Sequence, residues 1–375
     1  MHNTNQFYRL AEARELRGLS VAELAEKLEI SRQAVYKYES GMQRPGPEVI
    51  ERIIATLGFP YSFFAKPRKG SDLSDRPIFF RDMKTNQEAA RKMARRWLQI
   101  LCDQIHDLEE HYVDFAPVNL PSLDLPTFRE LQMSDVEVAA EQLRRFWNLG
   151  DGPISNVTQL LENNGFVIFR KKLPAEKMDA CSLVKDGRPC ILINTYKQTC
   201  SRDIMNLAHE LGHVILHQDI SSADIDNKED FDLIESQAWR FAQTFLMPPA
   251  VFSVEVGYPT LQHFVTLKHR WRVSIAAMIM HCAELGIIDA ARKQYLFREM
   301  SRNKMRAIEP LDEILPIEKS NVLLECEQLI VAEGLETRER LFESTGLSKE
   351  DYCELIGAPV GYLNPPNTRP RLRLL

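Results

Sequence analysis

Two histidines with a glutamate between them stand at His209-Glu210-Leu211-Gly212-His213. Four residues of α-helix turn through about 400°, so both imidazoles fall on one face, one turn apart. Placed so, they can share a Zn²⁺ ion at ~2.0–2.1 Å from each ring nitrogen. Glu210 would lie beside the ion, near enough to take a proton from a bound water without being forced to ligate. The spacing therefore predicts metal-assisted hydrolysis, with His209 and His213 as metal ligands and Glu210 as the catalytic carboxylate.

A catalytic zinc needs a third protein ligand and one open position. The side chains available downstream are His217, Asp219, Asp224, Asp226, Asp232, Glu235 and His263. His217 is eight residues past His209, an axial rise of ~12 Å, so one straight helix can hardly bring three imidazoles to one ion. Loop carboxylates hold ligand geometry poorly. Glu235 is the best choice, because it lies on the next expected helix, whose buried face reads Ile234, Ala238, Phe241, Ala242 and Phe245. Tyr196, Arg202 and His217 are candidates for an oxyanion-stabilising or supporting role, and His217 reads equally well as a partly buried helix-end histidine.

The elements that must position these residues follow from periodicity and turn residues. A helix over 154–163 precedes three strand-like runs, Phe166–Arg170, Cys181–Val184 and Ile191–Asn194, punctuated by Gly165, Pro174 and Asp186-Gly187-Arg188-Pro189. Pro189 suggests an edge strand over 189–194, able to hold an extended peptide by strand addition; an interior strand is the alternative. A helix over 201–217 carries the histidines. An acidic loop (218–228) leads to a helix over 229–247, ended by Pro248-Pro249. Further helices are expected at about 86–112, 135–148, 259–270, 273–286, 317–333, 336–344 and 347–356. No internal repeat is apparent. The last ~11 residues read as a loose tail.

The amino-terminal part is a run of short helices. Within it, SVAELAEKLEISRQAVYKYE (20–39) is a helix, a short turn and a second helix, with Ser20 and Ser31 placed to cap each. That is helix-turn-helix geometry, in which the second helix enters the major groove of DNA. Its outward residues Arg32, Gln33, Tyr36 and Lys37 suit base and phosphate contacts, while Ala34, Val35 and Tyr38 face the core. Residues 1–66 hold nine Lys/Arg against eight Asp/Glu, so one copy would bind weakly at physiological salt, and an operator binder of this kind implies a homodimer or a second DNA-contacting surface.

The whole chain has 375 residues, 44% hydrophobic content and a net charge of −6. The length calls for at least two cores, and the balance excludes a collagen-like, disordered or strongly basic protein. Its seven cysteines form no CxxC pair and are odd in number, which predicts free thiols in a reducing compartment. The polar amino end is no signal peptide, and Val273–Ile288 is too short and too polar for a membrane span. A cytoplasmic protein with no membrane contact is expected.

Two resemblances accompany these readings. Residues 7–65 resemble a Cro/repressor-type (XRE family) domain through Arg14, Gly18-Leu19-Ser20, Glu23-Leu24-Ala25, Ser31-Arg32-Gln33-Ala34-Val35, and Glu39-Ser40-Gly41 before Pro45. That resemblance implies a pair between Arg14 and Glu39. Residues from about 154 to 249 resemble the ImmA/IrrE family of metallopeptidases. The matching residues are Ile191–Asn194, Arg202, Leu207–His213 with His217, Glu235, Ala238, Phe241-Ala242 and Phe245–Pro248. It implies a zincin fold of the gluzincin type, Zn²⁺ on His209, His213 and Glu235, Glu210 as general base, and site-specific cleavage of a DNA-binding repressor. Where many members have Glu-Ala-Asn before the Phe-Ala pair, this chain has Gln237, Ala238 and Trp239.

The expected fold is α+β and mostly helical: an all-α helix-turn-helix domain, a metallopeptidase domain with a small three-stranded sheet, and a helical carboxy-terminal region. The boundaries drawn are 1–66 for the XRE-type domain, 67–85 for a linker, 86–250 for the metallopeptidase domain (lead-in 86–150, zinc core 151–250), and 251–375 for a helical region without a legible role. The leading expectation is a DNA-binding regulator fused to a zinc endopeptidase that cleaves a repressor or other regulatory protein in a stress or mobile-element response. The alternatives are a regulator whose zinc fold is a non-catalytic sensor or partner-binding module, and an antitoxin-like protein.

Overall fold

A computed structural model describes residues 7–65, 78, 88–176 and 178–364. The expected linker, apart from Ile78, and the expected loose tail lie outside these residues. Five helices open the chain: α1 (Leu10–Leu16), α2 (Val21–Lys27), α3 (Arg32–Glu39), α4 (Pro47–Leu57) and α5 (Tyr61–Ala65). After them come α6 (Glu88–His111), α7 (Met133–Phe146) and α8 (Val157–Asn163). The sheet is β1 (Val167–Lys171), β2 (Ala180–Lys185) and β3 (Arg188–Asn194). The remaining helices are α9 (Cys200–Leu216), α10 (Ser222–Asp226), α11 (Lys228–Leu246), α12 (Pro249–Val256), α13 (Leu261–Trp271), α14 (Ile275–Glu284), α15 (Ala290–Arg302), α16 (Val322–Ala332), α17 (Arg338–Thr345) and α18 (Lys349–Ile356). No described helix is long and apolar enough to cross a membrane.

The chain divides into two compact units: residues 1–68, 110–113 and 321–375 form one, and 69–109 and 114–320 the other. The carboxy-terminal region read from sequence as one piece is therefore split, α12–α15 going with the sheet and α16–α18 with the amino-terminal helices. Burial decides this. Asp351 of α18 is 5% exposed and takes both Nη atoms of Arg17 at 3.1 and 2.6 Å.

In the amino-terminal helices the local signals act as expected. Ser20 and Glu23 form a reciprocal capping box, and Ser31 caps α3. Arg14 reaches Glu39 through Nε at 2.6 Å and Nη2 at 3.1 Å, tying α1 to the end of α3. Val35 and Tyr38 are buried, whereas Arg32, Gln33, Tyr36 and Lys37 are exposed.

In the second unit the strand order is β1-β3-β2, with β1 parallel and β2 antiparallel to β3. This corrects the edge-strand expectation for 189–194: β3 is central. Pro189 pairs only with Val184 of β2, because the ladder to β1 starts one residue later at Cys190. Its missing N–H thus falls where a strand begins and is tolerated. The β2–β3 hairpin turns on Asp186 and Gly187, both with positive φ (51° and 81°), the conformation a two-residue turn requires.

One sheet face, carrying Ile168, Ala180, Ile191 and Ile193, packs into the main core with α9. The other is met by α6, where Trp97 lies 5.6 Å from Phe169 and Cys102 Sγ 3.6 Å from Cys190 Sγ. All seven cysteines are buried free thiols. Helix α9 is buried along almost its whole length, sandwiched between the sheet and α11. Close approach of α9 and α11 needs Gly212. A Cβ there would stand 3.2 Å from Ala238 Cα, Ala238 O and Phe241 Cδ1, tighter than two backbones can accept without shifting. Gly212→Ala is therefore expected to destabilise by about 1–3 kcal/mol despite alanine's better helix propensity. The check is chemical denaturation; a variant as stable as the parent would mean the helices yield freely.

Candidate metal centre

His209 and His213 project from one face of α9, and Glu235 meets them from α11. His209 Nε2 and His213 Nε2 are 3.0 Å apart, and Glu235 lies 3.4 Å from the first (Oε2) and 3.3 Å from the second (Oε1). Three ligand atoms at ~2.05 Å around a tetrahedral ion stand about 3.3 Å from one another. The spacing found is thus that of a divalent-cation site built by two imidazoles and one carboxylate. Within that triangle Glu235 Oε1 is buried without a hydrogen-bond partner, a costly arrangement that a cation would relieve. The donor set fits zinc.

Burial drives the His213 imidazole down to about 4, so it is neutral at neutral pH and keeps a ring-nitrogen lone pair. Burial also pushes the Glu235 carboxyl up, but the His209 and His213 imidazoles beside it outweigh that and hold it below the usual carboxylate range. Glu210 points to the sheet. Ser182 of β2, on the same sheet face as Ile191, donates to Glu210 Oε2 at 2.5 Å. Burial, more than the Ser182 bond can offset and with some help from the Glu235 charge, raises the Glu210 carboxyl to about 8.

His217 ends α9 and reaches the other side of His213: the two Nδ1 atoms are 3.0 Å apart. His217 Nε2 meets Gln237 Oε1 at 3.0 Å, and Gln237 Nε2 donates to the carbonyls of Phe128 and Leu131 at 2.7 and 3.3 Å. The donors fix the sequence of protons. Because the Gln237 amide nitrogen is committed to carbonyls, its oxygen must accept, so His217 Nε2 carries the hydrogen. Burial keeps His217 neutral, its pKa down at about 3, so its Nδ1 accepts from His213 Nδ1–H. The lone pair of His213 is thereby left on Nε2, facing His209 and Glu235. Gln237→Leu is expected to lower zinc affinity about 10–100-fold, measured by competition with a chelating dye. An unchanged affinity would show that His213 keeps its tautomer without this chain.

The other sequence candidates lie elsewhere. Tyr196 is 42% exposed in a short turn at Thr195–Lys197, with its hydroxyl 3.5 Å from Glu176. Arg202, on the first turn of α9, pairs with Asp179 at 3.0 Å. Sequence reasoning missed Ser182, although a hydroxyl on the apolar face of a strand, two residues from Ala180, was a signal. It also left Trp239 unread; the indole lies over His209 with ring centroids 4.4 Å apart.

Comparison with known families matches residues 161–282 to a peptidase-family model described as "IrrE N-terminal-like domain" and residues 10–64 to one described as "Helix-turn-helix". The first match runs past α11 through most of α14. Comparison with curated proteins yields no significant match. Among solved structures, a Mycobacterium tuberculosis transcriptional regulator aligns at 14% identity and a TM-score of 0.31, over 50% of this chain and 51% of that chain. The alignment thus spans about half of that regulator's length. The chain therefore joins an XRE-type helix-turn-helix domain of the DNA-binding kind to an IrrE-like domain of a metallopeptidase family.

Proposed function

We propose that this protein is a DNA-binding transcriptional regulator fused to a zinc-dependent endopeptidase whose substrate is a repressor or another regulatory protein. The observation that carries the reading is the placement of His209, His213 and Glu235 around one point with Glu210 buried beside them. When bound there, zinc would supply a polarised water and a Lewis-acid hold on a peptide carbonyl. The residues of the chain do the rest. Glu210 is the group that takes and returns a proton, and the Ser182 hydroxyl occupies its Oε2, so Oε1 is the oxygen left for that exchange. Gln237 and His217 hold His213 in the ligating tautomer. An extended substrate would pair with β2, the strand beside Glu210, since β3 is interior. On the DNA side, Arg32, Gln33, Tyr36 and Lys37 of α3 are the contact residues, with a homodimer spanning two half-sites of an operator.

One observation favours the sensor reading instead. The three ligand residues and Glu210 are each no more than 9% exposed, and so are Ala180–Leu183 of β2. A substrate chain would need that enclosure to open. The experiment that separates the two is metal analysis of the purified protein beside a cleavage assay against co-encoded repressors. Bound zinc with cleavage supports the peptidase; bound zinc, specific operator binding and intact repressors support the sensor.

A further inference from the structure

The backbone of residues 337–356 repeats that of residues 20–39. Ser20 caps α2 by accepting from Glu23 N, and Thr337 caps α17 by accepting from Arg340 N. Nine residues after each cap stands a positive φ: Glu29 at 54° and Gly346 at 66°. Two residues further on, Ser31 and Ser348 cap α3 and α18, accepting from Ala34 N and Asp351 N. Equivalent amides bond equivalent carbonyls, Leu24 to Ser20 as Leu341 to Thr337, and Val35 to Ser31 as Tyr352 to Ser348. Leu24, Val35 and Tyr38 are buried, and so are their counterparts Leu341, Tyr352 and Leu355. The absence of a repeat expected from residue types is thus corrected at the level of caps, turn and burial.

We propose that residues 337–356 are a second helix-turn-helix, turned from groove reading to docking on the first. The outward positions argue against DNA. Where α3 exposes Arg32, Gln33, Tyr36 and Lys37, α18 has Lys349, Glu350, the buried Cys353 and Glu354. Two carboxylates in place of Gln33 and Lys37 would face phosphate with the wrong charge. The same elements instead meet the amino-terminal domain. Asp351, at the place of Ala34, takes the Arg17 guanidinium in a two-bond fork at 3.1 and 2.6 Å. Arg17 is itself fixed by its Nε bond to Leu57 O (2.6 Å) and by lying 4.0 Å over the Phe59 ring. The turn glycine presses on α5 so closely that a Cβ on Gly346 would stand 3.3 Å from Phe63 Cα. The DNA-binding unit of this chain is then composite, made of both helix-turn-helix pairs, with the IrrE-like domain inserted between them in the sequence.

The test uses the full chain and a labelled duplex from upstream of its own gene. Arg32→Ala should weaken binding about ten-fold or more, while the double substitution Lys349→Ala/Glu350→Ala should change it by less than about two-fold. Equal losses would make α18 a DNA reader and overturn the proposal. Docking is read separately through Asp351→Asn, which keeps shape and removes charge. All four tryptophans (97, 147, 239 and 271) lie in the other unit, so their fluorescence follows that unit alone. Asp351→Asn should lower the temperature at which DNA binding is lost by several degrees, with the tryptophan midpoint unmoved. If DNA binding survives heating as in the parent, α18 carries no docking role. If both transitions fall together, the two pairs are not a unit of their own and the composite reading is likewise overturned.

Discussion

Glu210→Gln is expected to leave a folded protein that still takes zinc, with the proposed peptide hydrolysis lowered about 10²–10⁴-fold, the usual contribution of a positioned proton acceptor. Glutamine keeps the size of the side chain and can still accept from Ser182, so β2 and α9 stay in register; what it loses is the capacity to take a proton. A second readout does not depend on any substrate. Burial holds the Glu210 carboxyl up at about 8, so it is protonated at pH 7 before a cation arrives. A divalent ion on the neighbouring ligands favours the carboxylate, and zinc binding should therefore release a proton from Glu210 at pH 7. The sign follows directly: release shrinks as pH rises through about 8, because the proton is already gone. Calorimetry in buffers of different ionisation heat measures this. The parent should release about one proton more than the Glu210→Gln variant. Equal release from both would remove Glu210 from the neighbourhood of the ion, and undiminished hydrolysis would remove it from the reaction.

The second large effect is expected at Glu235. Glu235→Ala would remove one of the three proposed ligands and the only charged one, and zinc affinity should fall roughly 10²–10³-fold, about a quarter of the free energy with which four ligands hold structural zinc. The loss also shows in stability. Zinc in excess should raise the melting temperature of the parent by mass action, and that rise should vanish in the variant at the same zinc concentration. Because Glu235 sits on α11 and the histidines on α9, the ion would tie the two helices together. A variant that binds zinc as tightly as the parent would show that Glu235 is not a ligand, and the reading of the site as a hydrolytic centre would fall with it.

Much of the fold was legible because its signals are local. The strands lie within a few residues of the runs rich in β-branched and aromatic residues, and α9 and α11 within one or two residues of their apolar stripes. Caps were read correctly at Ser20 and Ser31. Helices α10, α12 and α15 escape the sequence reading, α10 lying within the stretch 218–228 expected as a loop. Pro248-Pro249 reads as a stop, yet Pro249 also opens α12 at the first helical position, where its missing N–H costs nothing. In α15 the start signal, Asp289 capping Arg292 N, precedes a sequence of which only Leu296 and Met300 are buried, too few core positions to set a period.

What the sequence determined by itself is whatever rests on helical repeat or residue chemistry over a few positions: the pairing of His209 and His213, Glu210 beside them, the helix-turn-helix with its exposed Arg32, Gln33, Tyr36 and Lys37. What only the tertiary structure decided rests on contacts between distant segments. Ser182 reaches Glu210 from another element, and Gln237 is oriented by the carbonyls of Phe128 and Leu131, which lie over a hundred residues earlier. The centrality of β3 depends on strand order, and the repeat of the first helix-turn-helix in α17–α18 lies in backbone angles and caps, which different side chains can satisfy equally well. Spacing along a chain fixes neighbours on one helix face; which helices, strands and carbonyls meet is set by the packing of the whole.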